Sequence, residues 1–490
     1  MKHKNNNINT LDSLHSDSLR IFFLTEMWER YGFYVVQTLL VLYLTFYFHW
    51  RDAEAFQLVG TFTAMTYISA LIGGWIADHL LGQKRAIIVA TILLITSYIV
   101  LAVLHSKHGL LMSLAGVCVG TGLLKPNISS LLGNTYPPNS PDRERGFTLF
   151  YIGITLGIFL GSTIPNIIHQ YCGWSVAFLS AAIGMLFSCA VFSYGIYRYK
   201  IEDYNPYEYQ ISKLLLTPLL IVALYIGVLN IFDFPAIANI TFIAIVLFSV
   251  AYVVYAVKTE KGQQSYQNII IGLLCIISTL FWAFYFQMYS SFSLLITRIV
   301  NPYLFGITFP APYYVAIQSL GIILFGYLLI KPKKHATIAM QATNIGKKFS
   351  MAMWIITLAY AVATSILYFD LSSALFSPLL IIPIYLMISG AEVLLSPVGL
   401  SAITLLSSPK KVSTMMGIFF VSLGAGGFLS GKIAILAAVP SAELPIAALK
   451  LIYAEAFAKM LGLLIIATLL CWFVQYLIKS YETPSKTYEF

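Results

Sequence analysis

Apolar runs of about twenty residues recur along almost the whole chain, and this repetition limits the possible fold more than any other feature. Each run is long enough to cross a hydrocarbon layer as a helix. By run length there are about fourteen, near residues 20–48, 57–81, 86–105, 109–134, 146–169, 174–197, 212–231, 236–257, 267–297, 309–331, 350–369, 376–406, 412–437 and 453–478. The loops are short, so no large water-soluble domain is expected. Charged residues are only 10% of the 490 and hydrophobic ones 59%, against roughly 25% charged in a soluble chain. So few charges cannot cover a water-facing surface. The first run follows a polar tail and is too long for the apolar core of a signal peptide, so no cleavable signal is expected.

The net charge of +9 would raise nucleic acid as a partner for a soluble protein. Here it is explained by topology. With the N-terminus inside, about 21 of the 29 Lys and Arg fall on the cytoplasmic side, including Lys84, Arg85, Arg143, Arg145, Lys258, Lys261, Lys331, Lys333, Lys334, Lys410 and Lys411. About four (Arg51, Lys107, Arg298 and Lys450) fall on the other side, as the positive-inside rule requires. Both termini are then cytoplasmic. The five cysteines are scattered and read as small core residues, with no disulfide framework and no metal site. No metalloprotease, nucleophile-elbow or phosphate-loop motif occurs, so no enzyme activity and no cofactor are expected. Without a nucleotide site, an ion gradient is the default energy source.

A charge inside a bilayer is costly enough to count as a functional hypothesis. In the first segment Glu26, Glu29, Arg30 and Tyr34 lie at i, i+3, i+4 and i+8, one polar stripe on a helix. Two carboxylates beside one guanidinium leave a surplus negative group, which could hold and release one proton. The plainer alternative is a static ion pair tying helices together. Lys125, in Gly120-Thr121-Gly122-Leu123-Leu124-Lys125-Pro126-Asn127, lies deep in the fourth segment, and Glu392 is a lone acid in the middle of the twelfth. A substrate carrying both charges, such as a peptide, could be held by Lys125 and Glu392; alternatively the two pair with each other and lock the bundle.

The loop Gly73-Gly74-Trp75-Ile76-Ala77-Asp78-His79-Leu80-Leu81-Gly82-Gln83-Lys84-Arg85 resembles the signature of major facilitator transporters. Glu-x-x-Glu-Arg in the first segment, the Lys125 run, Phe150-Tyr151-Ile152-Gly153-Ile154 and Glu392 with Ser396-Pro397-x-Gly399-Leu400 resemble the proton-dependent oligopeptide transporter family. Phe281-Trp282, Gln318-Ser319-Leu320 and Met415-Met416-Gly417 match further family positions in order. The resemblance implies an all-α integral membrane protein of the major facilitator fold, with two six-helix bundles plus two extra helices. The expected domains are a tail at 1–19, a first bundle at 20–200, two inserted helices with linkers at 201–263, a second bundle at 264–480 and a tail at 481–490. It also implies a monomer in the bacterial inner membrane that imports di- and tripeptides with protons by alternating access. Glu26, Glu29, Arg30 and Lys125 would couple the proton. Lys125 would also take the peptide carboxylate and Glu392 the amino group. Tyr34, Tyr67, Gln37, Thr155, Trp282, Phe286, Gln287, Ser396 and Phe419 would complete the pocket.

Several family positions are changed. Phe33 replaces a tyrosine, Gln37 an arginine, Thr155 an asparagine, Phe286 a glutamate, Gly321 an asparagine and Phe419 a tryptophan. The absent arginine and glutamate can pair in the family, so losing both strands no charge. The pocket is therefore expected to be less polar than usual, with Gly321 opening space and Phe33, Phe286 and Phe419 lining it. That would suit bulky apolar peptides or a cargo other than a dipeptide, an anion or a drug-like amine. A receptor that senses without transporting is a further alternative.

Overall fold

The computed structural model describes residues 4–136, 141–203, 211–329, 338–408, 411–440 and 444–480. The chain termini and the basic residues Lys331, Lys333, Lys334 and Lys410, which entered the charge-sidedness argument, lie outside them, as do the side chains of Arg143 and Arg145. Fourteen α-helices follow one another: α1 Lys4–Leu42, α2 Asp52–Ile76, α3 Gln83–Val103, α4 Lys107–Asn134, α5 Pro141–Tyr199, α6 Ile211–Asp233, α7 Pro235–Thr259, α8 Gln263–Tyr285, α9 Ser291–Ile299, α10 Ala311–Leu329, α11 Ile338–Phe369, α12 Pro378–Leu406, α13 Val412–Ala434 and α14 Ile446–Ser480. The two-stranded ribbon Tyr303–Leu304 with Ile307–Thr308 is the one sheet among the described residues. Its two-residue turn, Phe305-Gly306, has φ of +52° and +80°, as a tight right-twisted hairpin needs.

Twelve of the described helical stretches are long and apolar enough to cross a membrane. The long helix α5 counts once among them, although Gly173 (φ +83°) breaks it into two. Adding that second half and α1, which is too polar to count, gives the fourteen segments expected from hydropathy. The bounds differ most in three places, one of them α11, which starts at Ile338, well before the run read at 350–369. Helix α1 starts at Lys4, inside the stretch read as a polar tail. The segment near 267–297 is two helices, α8 and α9, joined by a 3-10 turn at Phe286–Tyr289. Prolines at 126, 165, 218, 383 and 397 sit inside helices, which membrane helices tolerate when neighbours satisfy the freed backbone groups.

The chain divides into two compact units, one of residues 1–40 and 65–235 and one of 41–64 and 236–490. In the first unit α3 packs along α4 and α5, and α6 lies on α4. Glycines at every fourth position of α5 let it approach α1 closely. A Cβ at Gly157 would stand 2.4 Å from the Met27 carbonyl, and one at Gly161 2.7 Å from that of Tyr31. With no hydrophobic driving force between helices in lipid, small residues of this kind bring backbones together for dispersion contact.

In the second unit α11 packs on α12 and α14, α8 on α13, and α10 on α12. The N-terminal half of α2 belongs here. Its Gly60 meets α13 at Gly431, where a Cβ would come within 2.6 Å of the opposing Cα. Helix α7 is largely exposed, with Ile240, Leu247 and Phe248 facing outward, as suits a helix bathed in lipid. Phe242 stacks on Phe428 of α13 with centroids 4.1 Å apart.

The end of α7 is fixed by a polar hub. Glu260 accepts hydrogen bonds from Asn268 Nδ2 at 2.8 Å and Ser408 Oγ at 3.0 Å, and pairs with Lys411 Nζ at 3.0 Å. Burial pushes the Glu260 carboxyl up, but these donors outweigh it and hold it below the usual carboxylate range. A lowered folded-state pKa gives stability that is present above the unfolded value, roughly 4.3, and lost as pH falls through the folded one. Glu260→Gln is therefore expected to melt below wild type at pH 7, with the gap closing below about pH 4.3. Thermal unfolding of the detergent-purified pair across that range checks it.

Candidate functional site

The first unit carries the α1 cluster. Glu26, Glu29 and Arg30 are all buried. Arg30 Nε lies 3.2 Å from Glu26 Oε1 and also donates to Glu29 Oε2. Two carboxylates thus share one guanidinium nitrogen. Glu26 Oε2, Glu29 Oε1 and Arg30 Nη2 have no hydrogen-bond partner among the described residues. The guanidinium carbon stands 5.3 Å from the Phe33 ring centroid.

Lys125 of α4 is brought within electrostatic range of Glu26, Glu29 and Arg30. Among the described residues it makes no ion pair within 4.0 Å. Its ammonium rests 4.5 Å from the centroid of Tyr67 on α2, a cation–π contact, and it remains partly exposed. Tyr34 and Tyr67 are partly exposed, and Gln37 and Thr155 are buried. The Thr155 hydroxyl donates to the Tyr151 carbonyl of its own helix at 3.0 Å.

The second unit carries Glu392, Trp282, Phe286, Gln287, Ser396 and Phe419. Glu392 of α12 accepts at Oε2 from Tyr285 OH and from Gln318 Nε2, each at 2.6 Å. Trp282 in the last turn of α8 and Phe286 at the start of the 3-10 turn, four residues on, stack with centroids 5.2 Å apart. Ser396 is partly exposed one turn beyond Glu392. Phe419 of α13 lies against Gly399, where a Cβ would be 2.4 Å from its Cζ; the missing side chain makes room for the ring.

Two residues read from sequence as pocket features have other work. Gln287 is fully buried, and both ends of its amide are taken. Nε2 donates to Ala283 O at 3.1 Å and Ser430 O at 2.9 Å, while Oε1 accepts from Ser291 Oγ at 2.7 Å. It braces the 3-10 break and ties it to α13. At Gly321 there is no opened space: a Cβ would stand 2.5 Å from Ser389 Oγ and 3.2 Å from Leu386 Cδ2. The glycine is a helix-crossing residue.

The pattern of the POT family matches residues 84–452, about three quarters of the sequence. The chain belongs to the POT family. It is similar to dipeptide and tripeptide permease B of Yersinia enterocolitica, 25% identical over 445 residues that cover 90% of each chain. It is also similar to dipeptide and tripeptide permease B of Edwardsiella piscicida, 26% identical over 476 residues, 95% of this chain and 96% of that one. A solved structure from work on substrate recognition in proton dependent oligopeptide transporters superposes with a TM-score of 0.81 at 22% identity, over 95% of this chain and all of that one. The fold is therefore that of POT transporters, a multi-pass membrane architecture.

Within this POT-family chain the sequence reading missed two ion pairs, one buried on both sides and one joining a buried lysine to an exposed carboxylate. Arg298 and Lys450 look like loop cations by position. Instead Arg298 donates from Nη1 and Nη2 to the two oxygens of Asp52 at 2.6 and 2.8 Å, and from Nη1 to Tyr453 OH at 3.0 Å. Lys450 is fully buried, 3.0 Å from Asp370 and 4.0 Å from the centroid of Phe376. Hydrogen bonds from Ser372, then Lys450, hold Asp370 down at about 2. A signal was present in each case: opposite charges at the ends of different apolar segments.

Proposed function

We propose that the protein imports di- and tripeptides together with protons across a bacterial inner membrane by alternating access. One observation carries the coupling. Among the described residues the α1 cluster is under-satisfied, with two carboxylates on one guanidinium nitrogen and three buried polar atoms without a hydrogen-bond partner. A static ion pair that only braced helices would need neither the second glutamate nor the orphaned atoms, since buried polar groups are costly unless paired. A proton that comes and goes would use the second carboxylate and the open acceptor atoms. The similarity to permeases of dipeptides and tripeptides supports the cargo. The carboxylate of a peptide would be taken by Lys125, which has no competing ion pair among the described residues, and its ammonium by Glu392.

The altered positions adjust the pocket. Phe286 stacks on Trp282 and Phe419 fills the space over Gly399, so the walls of this half are aromatic. Phe286→Glu is expected to weaken uptake of peptides with bulky apolar side chains by roughly tenfold relative to dialanine, the scale at which a pocket senses an apolar group. Competition of a peptide panel against labelled dialanine measures this, and an unchanged rank order would contradict the aromatic-wall reading.

A second cargo class is separated by binding alone. Thermal stabilisation of the purified protein is expected from free di- and tripeptides, and to be weaker but still measurable when either terminus is blocked. Stabilisation by small anions without an amine would favour anion transport instead.

A further inference from the structure

We infer that Tyr285 and Gln318 are positioning residues: they hold Glu392 so that one carboxylate oxygen is saturated and the other is presented to the substrate's amino group. The inference rests on the peptide reading above.

The geometry closes a triangle. Glu392 Oε2 takes the Tyr285 hydroxyl proton at 2.6 Å and one Gln318 amide proton at 2.6 Å, and the other amide proton goes to the Tyr285 oxygen at 3.1 Å. Every proton of the two donors is placed. All the donation to the carboxylate falls on Oε2, and Oε1 has no hydrogen-bond partner among the described residues, while Glu392 itself is partly exposed. A carboxylate accepts at two oxygens. With one taken from the protein side, a single directed acceptor remains, and an ammonium meets it with charge as well as a proton.

The cradle is itself held in place. Tyr285 ends α8 where the chain tightens into the 3-10 turn, and its ring packs edge-on to Trp282 at 4.7 Å and stacks with Phe281 at 6.0 Å. Gln318 is set by the crossing of α10 and α12. Ser389 Oγ donates to the Gln318 carbonyl at 2.8 Å, and the missing Cβ of Gly321, one turn further along α10, lets the helices come that close. Ser389 and Glu392 are three residues apart on α12 and so share a face. The glycine that replaces the family asparagine thus brings Gln318 to Glu392.

The test is transport of free and N-acetylated dialanine by proteoliposomes holding wild type, Tyr285→Phe, Gln318→Met and Gly321→Ala. Tyr285→Phe keeps the ring and removes the donor. It is expected to raise KM for the free-amine peptide about tenfold, as loss of a hydrogen bond to a charged group does, with maximal rate and the N-acetyl KM little changed. Gln318→Met and Gly321→Ala should shift the same ratio, and Tyr285→Phe should add nothing in a Glu392→Gln background. A merely structural role would lower maximal rate for both peptides alike. That outcome, or an unchanged free-amine KM in a folded Tyr285→Phe or Gln318→Met protein, overturns the inference while leaving peptide transport standing. Wild-type protein that carries neither peptide overturns the peptide reading and this inference with it.

Discussion

Lys125→Ala is expected to abolish proton-driven accumulation of peptide while leaving the protein as stable as wild type. The two effects separate because of how Lys125 is held. It has no ion pair within 4.0 Å among the described residues, only the Tyr67 ring beneath it and the α1 cluster in electrostatic range. Truncation therefore strands no buried partner. What it removes is the cation that would take the peptide carboxylate, which lowers affinity by roughly tenfold to a hundredfold. It also removes the positive charge that the glutamates sense, so binding of cargo and binding of the proton are no longer linked. Uptake by proteoliposomes and thermal unfolding of the same preparation read the two quantities side by side. A large loss of stability with residual coupled uptake would show that Lys125 is a brace.

Asp52→Ala is expected to do the reverse, with a loss of about 3–5 kcal/mol because a guanidinium is left buried without its counter-charge. Among the described residues Arg298 would keep only Tyr453, and its Nε already has no hydrogen-bond partner there. The Val439 amide, 3.0 Å from Asp52 Oδ2, would lose its acceptor as well. Removing both charges should hurt less than removing one, since apolar replacement of a buried pair is often near neutral. Asp52→Ala with Arg298→Met is therefore expected to recover most of the lost stability, measured as the unfolding midpoint in detergent. A double variant less stable than either single would contradict this account of the pair.

The sequence made the membrane architecture readable because bilayer burial acts on every residue of a run, and summed hydropathy survives local exceptions. It located Glu26, Glu29, Arg30, Lys125 and Glu392 for the same reason: charge in an apolar run is conspicuous. Features set by pairing across distant segments were not readable. Nothing near Glu392 announces Tyr285, 107 residues away, or Gln318, 74 away. Gln287 looks like a pocket residue beside Phe286, yet its burial and five side-chain hydrogen bonds depend on a helix break and on Ser430. Gly321 reads as missing bulk from one chain alone, while its meaning comes from Ser389 on the opposing helix. The split of α2 between the two units is likewise set by packing at Gly60 and Asp52 and not by local propensity.

The most direct measurement is uptake of a labelled dipeptide by liposomes holding the purified protein, with and without an inward proton gradient. Accumulation above the external concentration is expected only with the gradient, with collapse on adding a protonophore and absence in the Glu26→Gln/Glu29→Gln protein. Equal uptake with and without the gradient, or accumulation that survives loss of both glutamates, would contradict proton coupling through the α1 cluster.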